Sequence, residues 1–95
     1  VENDELVPMN DFHLNPNFPN PFNPTTNIPI SVMNSGFIDI SIYDIQGRLV
    51  EQMNILLDKG NHLVTWNAHQ LPSGVYVIKA ESKMSYGSQK AILIK

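Results

Sequence analysis

The chain has 95 residues, no cysteine, a hydrophobic fraction of 42% and a formal charge of −3. At this length it forms one small domain, and the hydrophobic fraction is that of a globular protein and not of a disordered one. The absence of cysteine excludes disulfides and thiolate metal sites, a pI of about 5.4 gives no basic footprint for nucleic acid, and no apolar run approaches the roughly 20 residues of a membrane span.

The first 11 residues have the composition of a solvated linker. Four of the nine acidic residues and none of the six basic ones lie there, among scattered apolar side chains. The stretch VENDELV lacks the basic and apolar regions of a signal peptide, and the chain does not begin with Met. We therefore expect residues 1–11 to join an upstream part of a longer protein to a folded domain at residues 12–95.

A proline-rich stretch follows a brief strand expected around Phe12 and Leu14. Residues 16–29, PNFPNPFNPTTNIP, hold five of the seven prolines. Each proline fixes φ and lacks a backbone donor, so this stretch is predicted to be extended and to form neither a helix nor a central strand. Phe18 and Phe22 indicate that it docks on a hydrophobic body instead of serving as a free linker, and both rings are expected to be buried.

Alternation of apolar and polar residues begins at Thr25 and predicts a strand. Ile28, Ile30 and Val32 point to one face of it, and Pro29 within the run indicates a sheet edge. A turn with Gly36 at positive φ is expected next.

The clearest strand runs from residue 37 to 45, with Ile38, Ile40 and Ile42 predicted to face inward. A hairpin closes it, in which the Asp44 carboxylate accepts turn N–H groups and Gly47 takes the left-handed conformation.

Four further strands are expected in the second half, over residues 48–57, 61–67, 75–81 and 89–95. The first is irregular enough to contain a bulge or to end early, and the third is expected to be covered on both faces. Trp66 is the natural centre of the core. All five glycines fall at predicted turns, 11 to 14 residues apart, and no stretch has helical periodicity. The sequence therefore predicts an all-β fold, an antiparallel β-sandwich of about seven strands.

No constellation of side chains predicts catalysis or a cofactor. The histidines lack ligand spacing and Ser73 is not in a nucleophile elbow. The acids are too scattered for a glycosidase pair, and the Asn cluster nearest to a calcium loop is better explained by turn capping. The residues considered are His13, His62 and His69 for zinc, Asp39, Asp44, Glu51 and Asp58 for acid and base, and Asn15, Asn17, Asn20 and Asn23 for calcium. We expect no small-molecule substrate.

A sugar-stacking platform is an alternative reading of the aromatic residues. Many β-sandwich modules bind carbohydrate through exposed rings, and Tyr43 and Tyr86 remain candidates. Trp66 lies between apolar neighbours in mid-strand and is expected in the core. The alternative function is thus a carbohydrate- or protein-binding sandwich appended to an extracellular hydrolase.

Five ordered motifs closely resemble the C-terminal sorting domain of proteins exported by the type IX secretion system of Bacteroidetes and related bacteria. The resemblance runs from about Phe12 to Lys95, and it departs from the family at Trp66-Asn67-Ala68, where WDG is common. The motifs are FHLNPNFPNPFNPTTNIPISV, ISIYDIQGRLV, KGNHLVTWNA, LPSGVYVIKAES and QKAILIK. The matching family residues that we expect to be structural are Pro19, Asn20, Pro21, Phe22, Pro24 and Trp66.

The resemblance implies an immunoglobulin-like sandwich that is not an enzyme and that ends a larger secreted protein. It implies an address recognised by the outer-membrane translocon, with a shuttle protein and a sortase-like peptidase as further partners. The cargo is then attached to the cell surface or released, and the domain itself is expected to be a monomer. The residues expected to be recognised are Asp44, Gly47, Arg48, Leu71, Ser73, Gly74, Lys90 and Lys95.

The last strand suggests a further mode of recognition. A strand at a sheet edge offers unpaired N–H and C=O groups to a partner, so residues 89–95 are a candidate for strand addition. The acidic residues 1–11 would supply the accessible backbone that a peptidase needs.

Overall fold

The computed structural model describes residues 10–95, which form seven strands. The strands are β1 (Phe12–Leu14), β2 (Thr25–Val32), β3 (Gly36–Asp44), β4 (Leu49–Leu57), β5 (Gly60–Asn67), β6 (Gly74–Glu81) and β7 (Tyr86–Leu93). They make two antiparallel sheets, ordered β1-β2-β5 and β4-β3-β6-β7, that pack as a sandwich. The predicted all-β fold is confirmed. Over residues 10–95 there is no helix that could cross a membrane.

The predicted linker lies mostly outside the described residues, since the description begins at Asn10. Asp11 is tied to the turn before β7, where its carboxylate accepts hydrogen bonds from the Ser82 hydroxyl at 2.8 Å and the Met84 N–H at 3.2 Å. The division at residues 11 and 12 stays a prediction, and these contacts hold the beginning of the described chain against the sandwich.

The core lies between the sheets and is filled by the alternating residues of each strand. Ile38, Ile40 and Ile42 of β3 are at most 2% exposed, as predicted, and the predicted apolar face of β2 is likewise buried. Trp66 is at the centre, with its ring centroid 5.2 Å from that of Phe22 and 5.7 Å from that of Tyr76. Aromatic rings at these distances and tilts pack favourably beyond the area that they bury.

The proline stretch is docked, but only one of its two rings enters the core. Phe22 is 2% exposed, whereas Phe18 is 50% exposed, so the prediction that both are buried is wrong for Phe18. Backbone pairing explains this, because Phe18 exchanges two hydrogen bonds of 2.9 Å with Asn27 and its neighbour Asn17 faces inward. Asn17 is buried with its amide donating to the Thr26 hydroxyl at 3.0 Å.

Pro29 lies in the central strand of its sheet, because β2 pairs with β1 on one side and β5 on the other. The prediction of an edge strand is therefore wrong. The Pro29 carbonyl accepts from the Asn15 N–H at 2.9 Å, so the Pro29 nitrogen also faces this side, just past the last β1 pair at Leu14 and Ile30. The missing donor thus falls where the β1 ladder has ended.

Three smaller predictions need correction. The sequence predicts a positive φ for Gly36, but Gly36 begins β3 without one. It predicts a turn at Gly87, but Gly87 lies inside β7, where an added Cβ would be 3.1 Å from the Leu14 Cβ. The outer face of β6 is only partly covered, since Val75 is 37% exposed while Val77 is half-buried. The irregularity predicted for β4 is confirmed as a register shift opposite Ile42 and Tyr43.

We predict that the two phenylalanines of the proline stretch differ sharply in their contribution to stability. Phe22→Ala removes a buried ring beside Trp66 and should lower the free energy of unfolding by about 3–5 kcal/mol. Phe18→Ala should change it by about 0.5 kcal/mol or less, because half of that ring is already in solvent. Urea unfolding of both variants checks this. Equal losses would contradict the assigned packing.

Candidate functional site

Most residues expected to be recognised lie at one end of the sandwich, which we call the turn end. It consists of the β3–β4 turn at residues 45–48, the β5–β6 loop at residues 68–73 and the end of β7. Register brings these parts together, because Asp44 at the end of β3 pairs with Tyr76 at the start of β6, and Gly74 pairs with Leu93 of β7. Residues far apart in sequence therefore share one surface.

The β3–β4 turn is organised by the Asp44 carboxylate. One oxygen accepts the N–H groups of Gln46 and Arg48, each at 2.9 Å, and the other accepts the Arg48 Nε at 2.9 Å. Gly47 has φ of +85°, the left-handed conformation that glycine adopts without penalty. Both turn predictions are confirmed. The remainder of the Arg48 side chain extends into solvent, where its relative exposure is 74%.

The hydrogen bonds of this turn lower the pKa of the Asp44 carboxyl. The largest cause is the Arg48 backbone N–H, and burial opposes it, while the Arg48 guanidinium and the Gln46 N–H lower the pKa further. The carboxylate form is therefore the one that holds the turn together.

The β5–β6 loop is fixed from below by Tyr76. Its hydroxyl donates to the Pro72 carbonyl at 2.6 Å, four residues upstream, and the ring is 3% exposed. A tyrosine near a strand start that bonds back to the preceding corner is typical of immunoglobulin-like sandwiches. Burial, followed by the charge of Asp44, raises the Tyr76 pKa. The loop also closes on itself through the Leu71 N–H and the Ala68 carbonyl at 3.0 Å.

An open groove of about 460 Å³ separates the turn from the loop. Five of the eight residues expected to be recognised line it, together with Ile45, Leu49 and Tyr76. The five are Asp44, Arg48, Leu71, Ser73 and Gly74. Its volume is in the range of ligand sites, and its walls combine an ion pair with apolar side chains. Sequence reasoning chose the five but not their convergence, and it missed the exposed Ile45.

Lys95 joins the same end from the other side of the loop. Its N–H donates to the Ser73 hydroxyl at 2.9 Å, and its ammonium donates to the His69 carbonyl. Ser73 thus has a defined structural contact in addition to its position in the groove. Gly47 lies at the tip of the turn and does not line the groove.

Lys90 lies apart from the turn end, on the outer face of the four-stranded sheet. It is exposed and pairs with Val77, which in turn pairs with Tyr43. The structure does not bring it together with the other seven residues.

The outer edge of β7 is occupied by the proline stretch, which contradicts the idea that the last strand offers a free edge. The Phe22 N–H donates to the Ile92 carbonyl at 2.8 Å, and the Ile94 N–H donates to the Phe22 carbonyl at 3.0 Å. The Asn20 side chain donates to the Lys90 carbonyl at 3.1 Å and accepts from the Ile92 N–H at 2.9 Å. An Asn side chain and one residue of backbone thus replace a neighbouring strand.

Two other asparagines of the cluster also reach distant strands instead of capping turns. Asn17 bonds to Thr26, and Asn15 donates to the Ser31 hydroxyl at 3.1 Å. The expectation of local turn capping is therefore wrong for Asn15, Asn17 and Asn20. Pro19 is held through its carbonyl, which accepts from the Thr26 hydroxyl at 2.9 Å. The segment has cis peptide bonds before Pro19, Pro21 and Pro24.

The residues considered for other chemistry are dispersed. Within residues 10–95 no group of three His, Cys, Asp or Glu side chains is placed to hold a metal ion. Trp66 is buried, as predicted, so it cannot stack on a sugar. Tyr43 is half-buried with the Lys79 ammonium 4.9 Å from its ring centroid, and Tyr86 is exposed.

Comparison with known proteins gives one family. The model of the secretion system C-terminal sorting domain matches residues 17–95. No curated protein matches the chain.

We predict that Tyr76→Phe destabilises the domain modestly without unfolding it. The substitution keeps the ring and leaves the Pro72 carbonyl without its donor, so the free energy of unfolding should fall by about 1 kcal/mol. Chemical unfolding measures this, and an unchanged free energy would contradict the role given to the hydroxyl.

We predict an acid-sensitive stability that Asp44 helps to set. Because the folded-state pKa of Asp44 lies below the ordinary 3.8, its stabilising contribution is complete above that value and is lost as the pH falls through the folded-state pKa. In Asp44→Asn the fall in unfolding free energy between about pH 5 and pH 2 should be smaller. Urea unfolding over this range checks it. Asp58→Asn is the control, since Asp58 is exposed, and an equal change in both variants would contradict the assignment.

Proposed function

Because this chain belongs to the family of secretion system C-terminal sorting domains, we propose that it carries a larger protein across the outer membrane by the type IX secretion system, for attachment to the cell surface or release. It acts as a non-catalytic, folded address. The partners proposed are the translocon, an outer-membrane shuttle protein and a sortase-like peptidase.

The observation that carries the proposed mode of recognition is the convergence at the turn end. Residues from the β3–β4 turn and the β5–β6 loop line one groove, although about 25 positions separate them in the chain. Both segments are fixed by hydrogen bonds from within the domain, to Asp44 and from Tyr76. A surface that is already ordered loses little conformational entropy on binding, which favours recognition of a folded tag.

The chemistry of the turn end suits a protein partner. Arg48 offers the free part of a guanidinium whose Nε is held by Asp44, so a partner carboxylate or carbonyl would meet an oriented donor. Ile45 is 75% exposed and Leu49 is 49% exposed beside it. An exposed arginine next to apolar side chains is a composition typical of interface hot spots.

Cleavage from the cargo is proposed upstream of Asp11. A peptidase requires extended and accessible backbone, whereas the Asp11 and Phe12 N–H groups are bonded to the Ser85 hydroxyl. Removal of the cargo there would leave the sandwich whole.

We predict that export depends on the turn end. A periplasmic reporter that carries the whole chain at its carboxyl terminus should reach the surface or medium of a bacterium with this secretion system, but not of one without it. Ile45→Asp and Arg48→Ala should each lower export about tenfold, as loss of an interface hot spot would. Reporter activity outside the cells, against the periplasmic fraction, is the measurement.

Leu63→Asp is the matched control, because Leu63 is 59% exposed on the other sheet, away from the groove. Export independent of the secretion system would contradict the proposed function. Normal export of both groove variants would contradict only the recognition by the turn end.

A further inference from the structure

The sandwich has four edge strands, and the chain itself covers two of them. Asn20 and Phe22 bond along the outer side of β7. At β1, the Ser85 hydroxyl accepts from the Phe12 N–H, and Leu14 packs against Gly87 of β7. The other two edges, β4 and β5, have no further strand beside them within residues 10–95. The protection of edges is therefore selective.

The backbone of β4 presents a row of donors and acceptors to this open side. The Asp44 N–H donates to the Arg48 carbonyl, so alternate residues of β3 counted back from Asp44 direct their backbone groups to β4. These are Ile42, Ile40 and Ile38, which pair with Glu51, Met53 and Ile55. The residues between, Gln52, Asn54 and Leu56, consequently direct their N–H and C=O groups away from the sheet.

Apolar surface distinguishes β4 from β5. The inward apolar side chains of β5 are already covered, with Val64 at 9% and Trp66 at 2% exposure. Those of β4, Met53, Ile55 and Leu57, are only partly buried. The difference follows from the number of strands in each sheet. When a four-stranded sheet packs on a three-stranded sheet, one strand of the larger sheet has no strand opposite it. A strand added at β4 would bury apolar surface that a strand added at β5 would not.

The features that natural proteins use to block pairing are confined to the start of the β4 edge, where the register shift lies opposite Ile42 and Tyr43 and Glu51 shares the face of Met53. Between Leu49 and Leu57 there is no proline and no lysine, and Glu51 is the one charged residue. Its backbone is engaged with Ile42 of β3, and Leu56 at 61% exposure lies beside the open groups. The part of β4 from residue 52 to residue 57 has no lysine, no proline and no charge, and such an edge is a template for strand addition.

We propose that the β4 edge binds an extended segment of another protein, which adds as a fifth strand to the four-stranded sheet. The segment has apolar side chains at alternate positions, to lie beside Met53, Ile55 and Leu57, and polar ones between them. Backbone hydrogen bonds to Gln52, Asn54 and Leu56 provide affinity, and the alternate side chains provide specificity. This inference rests on the proposed function, because the partner is taken to be a component of the export machinery.

Paired variants test the two open edges against each other. Asn54→Pro removes an N–H that points to the open side of β4, and Leu56→Lys places a blocking charge there. Thr65→Pro and Leu63→Lys are the equivalent variants on β5. Thr65 pairs with Asn27, and the Asn27 backbone bonds to Phe18 on the other side of β2, so the Thr65 N–H points to the open side of β5. Leu56 and Leu63 are nearly equal in exposure, at 61% and 59%.

Each variant is fused as the whole chain to the periplasmic reporter described above, and export is measured in the host with the secretion system. Export should fall about tenfold for both β4 variants and stay within about twofold for both β5 variants. Thermal unfolding of the purified chains identifies any variant that fails to fold. If a proline variant fails to fold, Leu56→Lys and Leu63→Lys still compare the two edges.

Normal export of folded Leu56→Lys, with the wild type exported, would overturn the inference and leave the proposed function intact. Equal losses at both edges would also overturn it. If the wild type were not exported, the proposed function itself would fail. A second copy of this chain is the other possible occupant of the β4 edge, and analytical ultracentrifugation of the purified chain tests for it. A dimer that Leu56→Lys abolishes would assign the edge to a second copy and overturn the inference.

Discussion

The sandwich depends on Phe22, which is held in place both by its side chain and by its backbone. Its ring is buried against Trp66 in the core, while its N–H and C=O bond to Ile92 and Ile94 along β7. The first part of the domain is thereby fixed to the last. Side-chain packing and edge pairing reinforce each other here, because neither the ring nor the backbone can move without breaking the contact that the other makes. The neighbouring Asn20 adds two hydrogen bonds to the same strand, so a short segment without regular structure closes an edge of the sheet.

This closure has a consequence for the turn end. β7 is the neighbour of β6, and the start of β6 carries Tyr76, which supports the β5–β6 loop from below. Lys95, beyond the last strand, contacts the same loop through Ser73 and His69. The loop is therefore held from the core, from the chain that follows β7 and by its own turn. The β3–β4 turn opposite it is held by the Asp44 carboxylate, which accepts three hydrogen bonds, and by two backbone hydrogen bonds of Asp44. The groove between them has walls whose positions are set before any partner arrives, which reduces the entropic cost of binding.

Local sequence pattern predicts the parts of this structure that depend on local physics. Alternation finds the strands and the inward isoleucines of β3, and the Asp44 and Gly47 turn follows from side-chain acceptors and backbone freedom within four residues. Pairings between distant segments are a different matter. Nothing near Pro29 indicates that β2 is central, since that depends on its pairing with β1, a separate segment of the chain. Phe18 and Phe22 look alike in sequence, and only the bridge between Phe18 and Asn27 decides which ring turns outward. The groove belongs to the same class, because it requires the register that sets Asp44 beside Tyr76. Family motifs selected its residues, but sequence spacing could not place them together.

The contrast among the edges connects this architecture to export. An exposed edge is a hazard for any protein that must remain unaggregated, and the hazard is greatest for a long strand without charge. The chain protects β7 with a proline-rich segment that cannot itself serve as a ladder strand, since each proline removes a donor. The same device is absent from β4 within the described residues, although β4 is longer than the span that Asn20 and Phe22 cover. A covered carboxyl-terminal strand and an open β4 also differ in what a partner would have to displace. Addition at β7 would require breaking four hydrogen bonds and withdrawing Phe22 from the core, whereas addition at β4 would displace no strand of residues 10–95. This difference favours β4, which begins at the turn end, over β7 as the strand to which the proposed segment would add.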